Sequence, residues 1–232
     1  MNLNDEIQDK LISRGASIVG FADLTNISYE IRNDLKNGIV IGIQLNPKIV
    51  KKINPGPSLD YYNEYNQVNE RLDVLSDYTE QFLISKGYDA FSKSRKNVYI
   101  DQNTKRTDLP HKTIATRAGL GWIGKCALLI TEQFGAAVRF TTVLTNAKIG
   151  VGTPINNSKC GECEECKKIC PAEAVRGYNW DINLERDTFF KALLCRDKII
   201  ERGKKLKLTE GMCGLCIHIC PWTQKYLKNI ED

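Results

Sequence analysis

The chain has 232 residues, of which 42% are hydrophobic and 26% charged, with a formal net charge of +5 and a mean hydropathy of −0.34. These values are typical of a soluble globular protein and exclude a disordered or collagen-like chain. No apolar run approaches the roughly 20 residues that cross a bilayer, and the N-terminal stretch MNLNDEIQDK is acidic where a signal peptide is basic. We therefore expect a cytoplasmic protein with no membrane partner.

The hydrophobic pattern predicts helices that alternate with strands over residues 1–150. Helices are expected at residues 3–11, from Asp60 onward and at His111–Ala118; strands are expected at Ser17–Leu24, Gly38–Leu45 and Tyr88–Ser92, followed by a pair at Cys126–Thr131 and Ala136–Leu144. This pattern indicates an α+β fold with an N-terminal α/β layer domain over residues 1–150. Beyond the linker-like segment Gly150–Ser158, residues 151–232 consist of short, cysteine-rich pieces and form a second predicted domain.

Cysteine placement is the most informative feature of the sequence. Eight of the nine cysteines lie between Cys160 and Cys220, and the remaining one is Cys126. Because a cytosol keeps thiols reduced, clustered cysteines there more often bind metal than form disulfides. The sequence has only two histidines, so a metal site must consist mainly of thiolates, which favour zinc or iron–sulfur clusters.

The spacing of these cysteines predicts two [4Fe–4S] clusters. Cys160-x2-Cys163-x2-Cys166-x3-Cys170-Pro is the bacterial ferredoxin run, whose fourth cysteine binds the other cluster. A second run, Cys213-x2-Cys216-x3-Cys220-Pro, lacks one ligand, which Cys195 would supply. The crossed pattern assigns Cys160, Cys163, Cys166 and Cys220 to one cluster, and Cys170, Cys195, Cys213 and Cys216 to the other. Structural zinc is the alternative, but it does not account for two Cys-x3-Cys-Pro strings.

A glycine-rich segment precedes the cysteines. The segment His111–Leu129 reads HKTIATRAGLGWIGKCALL. It lacks the Gly-Lys-Ser/Thr of a Walker loop, and its G-x-G-x-x-G follows a predicted helix and precedes a strand, the reverse of the dinucleotide-binding order. We expect Cys126 to be a small buried residue in a strand rather than a reactive thiol.

AGLGWIGK, followed by an alternating strand pair and by CxxCxxCxxxCP and CxxCxxxCPW, resembles the epoxyqueuosine reductase family, which is akin to the reductive dehalogenases. The resemblance is closest over about residues 109–222. It implies a nitroreductase-like N-terminal domain that holds base-off cobalamin beside a bacterial-ferredoxin-like domain with two [4Fe–4S] clusters. Carried over position by position, the residues that line the corrinoid are Gly121, Trp122, Gly124, Lys125 and Leu129.

The resemblance also has departures. The position of the family's proton-donor aspartate falls on Lys105, while Asp108 is near but out of register, so His111 or Lys112 is the alternative acid. A helical-repeat extension that grips tRNA in longer members is not found after Trp222, which predicts weak tRNA binding. The basic stretch Arg196–Lys207 leaves three interpretations open: contacts to RNA phosphates, docking of an acidic redox partner, or a solvated helix face.

The sequence thus predicts an iron–sulfur oxidoreductase of the epoxyqueuosine reductase type, acting on a small-molecule or nucleoside substrate. Its cofactors would be two [4Fe–4S] clusters and cobalamin, and its partner a low-potential electron donor such as ferredoxin or flavodoxin. The main alternative is a ferredoxin-type electron-transfer protein, or corrinoid reductase, without an organic substrate of its own. A flavin in place of cobalamin is suggested by fold analogy alone.

Overall fold

The computed structural model describes residues 2–208 and 212–228. In the first 150 residues the strands are β1 (Ile18–Asp23), β2 (Asn37–Gln44), β3 (Ala90–Ser92), β4 (Trp122–Ile123), β5 (Leu129–Ile130) and β6 (Val138–Thr145). The helices are α1 (Leu3–Ile12), α2 (Pro47–Lys51), α3 (Leu59–Ser85) and α4 (His111–Arg117), with a 3-10 turn at Arg95–Asn97. Four strands form an antiparallel sheet in the order β1-β2-β6-β3, and β4 pairs with β5 in a separate hairpin. The predicted mixture of helices and strands is confirmed.

The sheet is covered on both faces because its central strands are apolar on both sides. In β2, Ile39 and Ile41 belong to the hydrophobic cluster that includes α1 and α3, whereas Val40 belongs to the cluster that includes α4. Helix α4 lies very close to the sheet: a Cβ at Gly38 would be 2.7 Å from the Cγ2 atom of Ile114. The continuous apolar run of β2 is therefore explained by a strand buried between two helical layers.

The expected pairing of the strand at Cys126–Thr131 with the following strand is wrong. Gly124 donates its N–H to the carbonyl of Leu128 at 2.8 Å, and Ala127 has a φ of 60°, so the chain turns sharply in this segment. Only Leu129–Ile130 is extended, and it pairs back onto Trp122–Ile123. Strand β6 lies instead between β2 and β3. Cys126 is buried as expected, but in a turn rather than in a strand.

The described residues of the cysteine-rich part form five helices, most of them short, and pack against one end of the sheet. These are α5 (Glu165–Lys168), α6 (Arg186–Phe189), α7 (Ala192–Lys204), α8 (Leu215–Ile219) and α9 (Pro221–Lys228). The hydroxyl of Tyr226 donates to the carbonyl of Leu45 at 3.0 Å, and Thr223 Oγ1 accepts the N–H of Ala136 at 3.0 Å. Helix α9 therefore ties this part to the ends of β2 and β6. Among the described residues, no helix has the length and apolar character needed to span a membrane.

Candidate functional site

Six cysteines line a small cavity of about 80 Å³: Cys126, Cys216 and the four that the crossed pattern assigns to one cluster. Those four are Cys160, Cys163, Cys166 and Cys220. The first three lie on the loop that leads into α5 and on α5 itself, whereas Cys220 lies between α8 and α9. Burial raises the pKa of Cys220, and the neighbouring Cys160 thiol adds to the shift. The fold thus brings Cys220 to the first cysteine run rather than leaving it with its neighbours in sequence.

A second group forms around Cys195, near the start of α7. Burial, together with the nearby thiols of Cys170 and Cys213, raises the pKa of Cys195 to about 11. The thiol of Cys170 also contributes to raising the pKa of Cys213. The thiol of Cys170 therefore faces the later cysteines although it ends the first run.

Cys126 lies between the two groups. Its thiol is in hydrogen-bonding contact with both Cys166 and Cys216, and its side chain is buried. The sequence pattern predicted burial but gave no signal for this position, because Cys126 lies 34 residues before the first cysteine run. The two groups of thiols are therefore separated by little more than one side chain.

The cysteine cavity suits a cluster better than a single ion. A zinc ion bound by four thiolates at about 2.3 Å leaves no free volume between them. Lys125 also lines this cavity and is 3% exposed, although it makes no ion pair in the described part of the chain. A buried ammonium is costly unless a negative charge faces it, and four thiolates bound to a [4Fe–4S] core supply that charge. The geometry and the charge both fit the predicted cluster.

A larger cavity of about 510 Å³ opens beside β6. Strand β3 pairs only with the last three residues of β6, so the edge of residues 138–142 has no neighbouring strand. The carbonyl of Thr142 points to this side, because it accepts the N–H of Lys93 at 2.9 Å. In an antiparallel strand the backbone groups of Phe140 and Val138 point the same way, into the cavity. The cavity therefore has an open strand edge along one wall.

This cavity shares a thin wall with the cysteines. Ala127, Leu128 and Ile217 line the larger cavity, while Cys126 and Cys216 line the smaller one. The pairs Cys126–Ala127 and Cys216–Ile217 thus form the wall. In each pair the cysteine lines the smaller cavity and the next residue lines the larger one. Any group bound in the larger cavity would lie next to the thiols.

The polar lining of the larger cavity is mainly basic. Arg139 donates to the hydroxyl of Tyr65 at 3.0 Å and to Asn69 Oδ1 at 3.2 Å, and its guanidinium lies over the Tyr65 ring at 4.1 Å. Lys93, which follows β3, is 8% exposed and also lines the cavity. Asp73 accepts hydrogen bonds from the Arg95 backbone and guanidinium at 2.8 and 2.6 Å, so its charge is already neutralised.

Two of the three predicted acids line this cavity. His111 Nδ1 lies 2.9 Å from Thr142 Oγ1, and burial, with help from Lys93 and Arg139, lowers its pKa to about 4. Lys112 donates to the carbonyl of Ala127 at 2.8 Å, and burial lowers its pKa to about 8. Asp108 is exposed and does not line the cavity; it acts on Lys93 only through its charge.

Three of the five predicted corrinoid residues line one of the two cavities. Leu129 lines the larger cavity, whereas Gly124 and Lys125 line the cysteine cavity. Trp122 is fully buried, with its ring edge-on to that of Trp222 at 5.0 Å. A Cβ at Gly121 would be 2.1 Å from the carbonyl oxygen of Ile130, so this glycine allows the close approach within the hairpin.

Sequence comparison identifies a matching domain family and several curated homologues. A family model for a 4Fe-4S double cluster binding domain matches residues 159–223. An epoxyqueuosine reductase from Atelocyanobacterium thalassa (isolate ALOHA) is 32% identical over 190 residues, covering 75% of this chain and 60% of that protein. An epoxyqueuosine reductase from Listeria monocytogenes is 34% identical over 119 residues, which are 51% of this chain and 27% of that protein. The chain thus matches 60% or less of the length of these curated relatives.

Solved structures share the fold over nearly the whole chain. The epoxyqueuosine reductase of Streptococcus thermophilus superposes with a TM-score of 0.60 at 20% identity, covering 97% of this chain and 67% of that one. A catabolic reductive dehalogenase gives a TM-score of 0.72 at 16% identity, covering 97% of this chain and 33% of that one. The protein is thus a sequence relative of the epoxyqueuosine reductases, with a fold that they share with reductive dehalogenases and with a domain for two [4Fe–4S] clusters.

Proposed function

We propose that this chain is an iron–sulfur oxidoreductase of the epoxyqueuosine reductase type, in which two [4Fe–4S] clusters deliver electrons to cobalamin in the larger cavity. The observation that supports it best is the shared wall, where Cys126 and Cys216 face the thiol side and Ala127 and Ile217 face the cavity. A redox centre in the smaller cavity would lie within a few atoms of a ligand in the larger one. We also propose a cytoplasmic location, where thiols stay reduced.

The lining of the larger cavity suits a corrinoid. Leu128 and Leu129 offer an apolar surface to a flat ring, and the open edge of β6 offers backbone groups to amide side chains at its rim. A reduced corrinoid supplies a strong nucleophile and reductant. A relative in fold, at 15% identity and a TM-score of 0.70, is a reductive dehalogenase described as B12-dependent, which supports this choice of cofactor. In this proposal Leu129 contacts the cofactor, whereas Gly124 and Lys125 lie on the cluster side of the wall. Gly121 and Trp122 belong to the β4–β5 hairpin and line neither cavity.

We assign the proton supply to Lys112. Its pKa of about 8 leaves the ammonium protonated at neutral pH and close to the value at which a general acid works best. His111 is neutral at that pH and positions the cavity wall through Thr142. Asp108 influences the site electrostatically, because its negative charge raises the pKa of Lys93, which burial lowers.

A small molecule or a nucleoside is the proposed substrate. One fold relative is an epoxyqueuosine reductase in a complex with an epoxyqueuosine-modified tRNA stem loop, with a TM-score of 0.60 at 20% identity. For this chain we expect tRNA binding to be weak and to fall steeply with salt, because the basic stretch Arg196–Lys207 offers phosphate contacts alone.

We propose that the electron donor is an acidic, low-potential protein such as a ferredoxin or flavodoxin that docks on α7. Leu193 and Leu194, at 48% and 50% exposure, lie beside Cys195, and the basic side chains of Lys191 and Arg196 flank them. An apolar centre with a charged rim is typical of transient complexes, whose association rate depends on electrostatic steering.

The docking proposal is tested by the double variant Lys191→Glu/Arg196→Glu. Reduction of the clusters by a flavodoxin of net negative charge should slow by about tenfold at low salt, while reduction by dithionite should not change. The control is Lys36→Glu/Lys148→Glu, which reverses two exposed lysines elsewhere and should leave both rates unaltered. An equal loss in both double variants would contradict docking on α7.

The proposed function is tested with anaerobically purified, cluster-loaded protein. We expect added cobalamin to bind stoichiometrically and to become reduced when a low-potential donor is supplied, as followed in the visible spectrum. Full cluster content with no cobalamin binding would favour the alternative of a ferredoxin-type electron-transfer protein. Binding of flavin instead of cobalamin would favour a flavin-dependent enzyme. Turnover is then measured on epoxyqueuosine-containing tRNA; robust turnover that Asp108→Ala abolishes would show that Asp108, and not Lys112, is the acid.

A further inference from the structure

The larger cavity is lined by more positive than negative charge. Four cationic side chains line it, from Lys93, Arg95, Lys112 and Arg139, against the single carboxylate of Asp73. Asp73 binds Arg95. Lys112 is held by a backbone carbonyl and Arg139 by a phenol and an amide, all of them uncharged groups.

Lys93 and Arg139 thus make no ion pair with any carboxylate in residues 2–208 and 212–228. Charged side chains are rarely buried without a partner, because the lost hydration costs several kcal/mol per ion. Both cations act on His111, which places them on the same part of the cavity. The hydroxyl of Thr141, also in the lining and 3% exposed, has no hydrogen-bond partner among the described residues.

We propose that Lys93, Arg139 and Thr141 form a binding site for an anionic group, a carboxylate or a phosphate, of the substrate. This inference rests on the proposed function and specifies its substrate class as a small anionic molecule. The guanidinium of Arg139 is held in a fixed position by Tyr65 and Asn69, which suits a planar or tetrahedral oxyanion, and Lys93 supplies a second charge.

The first test is thermal unfolding of the cluster-loaded, cobalamin-free protein. If the cations await an anion, Lys93→Met should raise the melting temperature by about 2 °C or more, because it removes a buried charge that makes no ion pair and that only the exposed Asp108 opposes from a distance. Inorganic phosphate or benzoate should stabilise the wild-type protein at constant ionic strength, with no matching effect in Lys93→Met or Arg139→Gln. The control Lys96→Gln changes an exposed lysine that binds Asp77, and should respond to the anions as the wild type does.

The second test separates the substrate from the cofactor as the source of the anion. Binding of 4-fluorobenzoate and of neutral 4-fluorobenzamide is followed by fluorine NMR, with and without cobalamin. We expect 4-fluorobenzoate to bind at least tenfold more tightly than 4-fluorobenzamide, and to bind also when cobalamin is present. In Arg139→Gln this difference in affinity should be lost.

If the wild-type protein binds the two compounds equally tightly, the inference is wrong. If the variants weaken binding of cobalamin but not of cobinamide, which lacks the phosphate, the site serves the cofactor. Cluster content and cobalamin uptake are measured separately, so failure of the anion site is distinguishable from failure of the proposed function.

Discussion

Positively charged side chains line both cavities, on either side of the Cys126–Ala127 wall, but the groups that face these charges differ. In the cysteine cavity the single buried ammonium, that of Lys125, faces thiols that become negative when they bind iron. In the larger cavity, Arg139 is held by neutral groups, and Lys93 makes no ion pair with a carboxylate of the described residues, although the charge of Asp108 acts on it. Charge compensation is therefore built into the first cavity by the sequence itself, and in the second it is left to a ligand.

The largest expected effect concerns the cysteine groups. Anaerobic analysis should find about eight iron and eight sulfide per chain, and Cys170→Ala should lower both to about four by removing the cluster of Cys195 and Cys213. Cys126→Ala is the matched control and should keep about eight of each. The EPR spectra of reduced Cys170→Ala and Cys160→Ala should each show a single isolated cluster, and the two spectra should differ. Zinc without labile sulfide would show that the cysteines hold no iron–sulfur cluster. Loss of the Cys160 cluster in Cys170→Ala would contradict the assignment of Cys170 to the cluster of Cys195 and Cys213.

The second prediction concerns the positive charge around His111. Its pKa is about 4 in the folded chain and 6.5 when unperturbed, so below about pH 6.5 the unfolded state binds a proton that the folded state does not. Stability should therefore fall by about 1–2 kcal/mol as the pH decreases from about 6.5 to about 4, after allowance for the partial exposure of the ring.

Denaturant titrations at several pH values measure this effect. His111→Gln should flatten the pH dependence, while His218→Gln, which changes the other histidine of the sequence, should retain it. A pH profile that is unchanged in His111→Gln would mean that burial and the cations Lys93 and Arg139 do not lower the pKa of His111 in the folded chain.

The smallest effect is expected at Lys125. Lys125→Met removes a buried positive charge beside the thiolates, so the reduction potential of the adjacent cluster should fall by tens of millivolts with iron content unchanged. Redox titrations followed by EPR measure the potential. Lys159→Met, which changes an exposed lysine 5.4 Å from the Trp122 ring, should shift it much less. Equal shifts in the two variants would show that Lys125 does not compensate the cluster charge.

Much of the architecture could be predicted because local patterns determine it. The period of the apolar residues placed α1, α3 and α4, and the β-branched run placed β2. The strand prediction at Cys126–Thr131 failed because an apolar run does not reveal a turn stabilised by Ala127 at positive φ. The anion-site residues were missed for another reason: Lys93 follows β3 while Arg139 and Thr141 lie on β6, and the register of β3 against β6 brings these distant parts of the chain together.

The short pairing between β3 and β6 has a consequence for solubility. A strand edge with free N–H and C=O groups is a template for another chain, and proteins protect such edges by covering them. Here the segment 95–110 covers the edge, because Val98, Ile100 and Pro110 line the cavity beside it. Arg106 fastens this cover through its contacts with Glu185 and Asp187, at 3.2 and 3.0 Å. The segment that closes the ligand cavity therefore also keeps neighbouring molecules from adding a strand to the sheet.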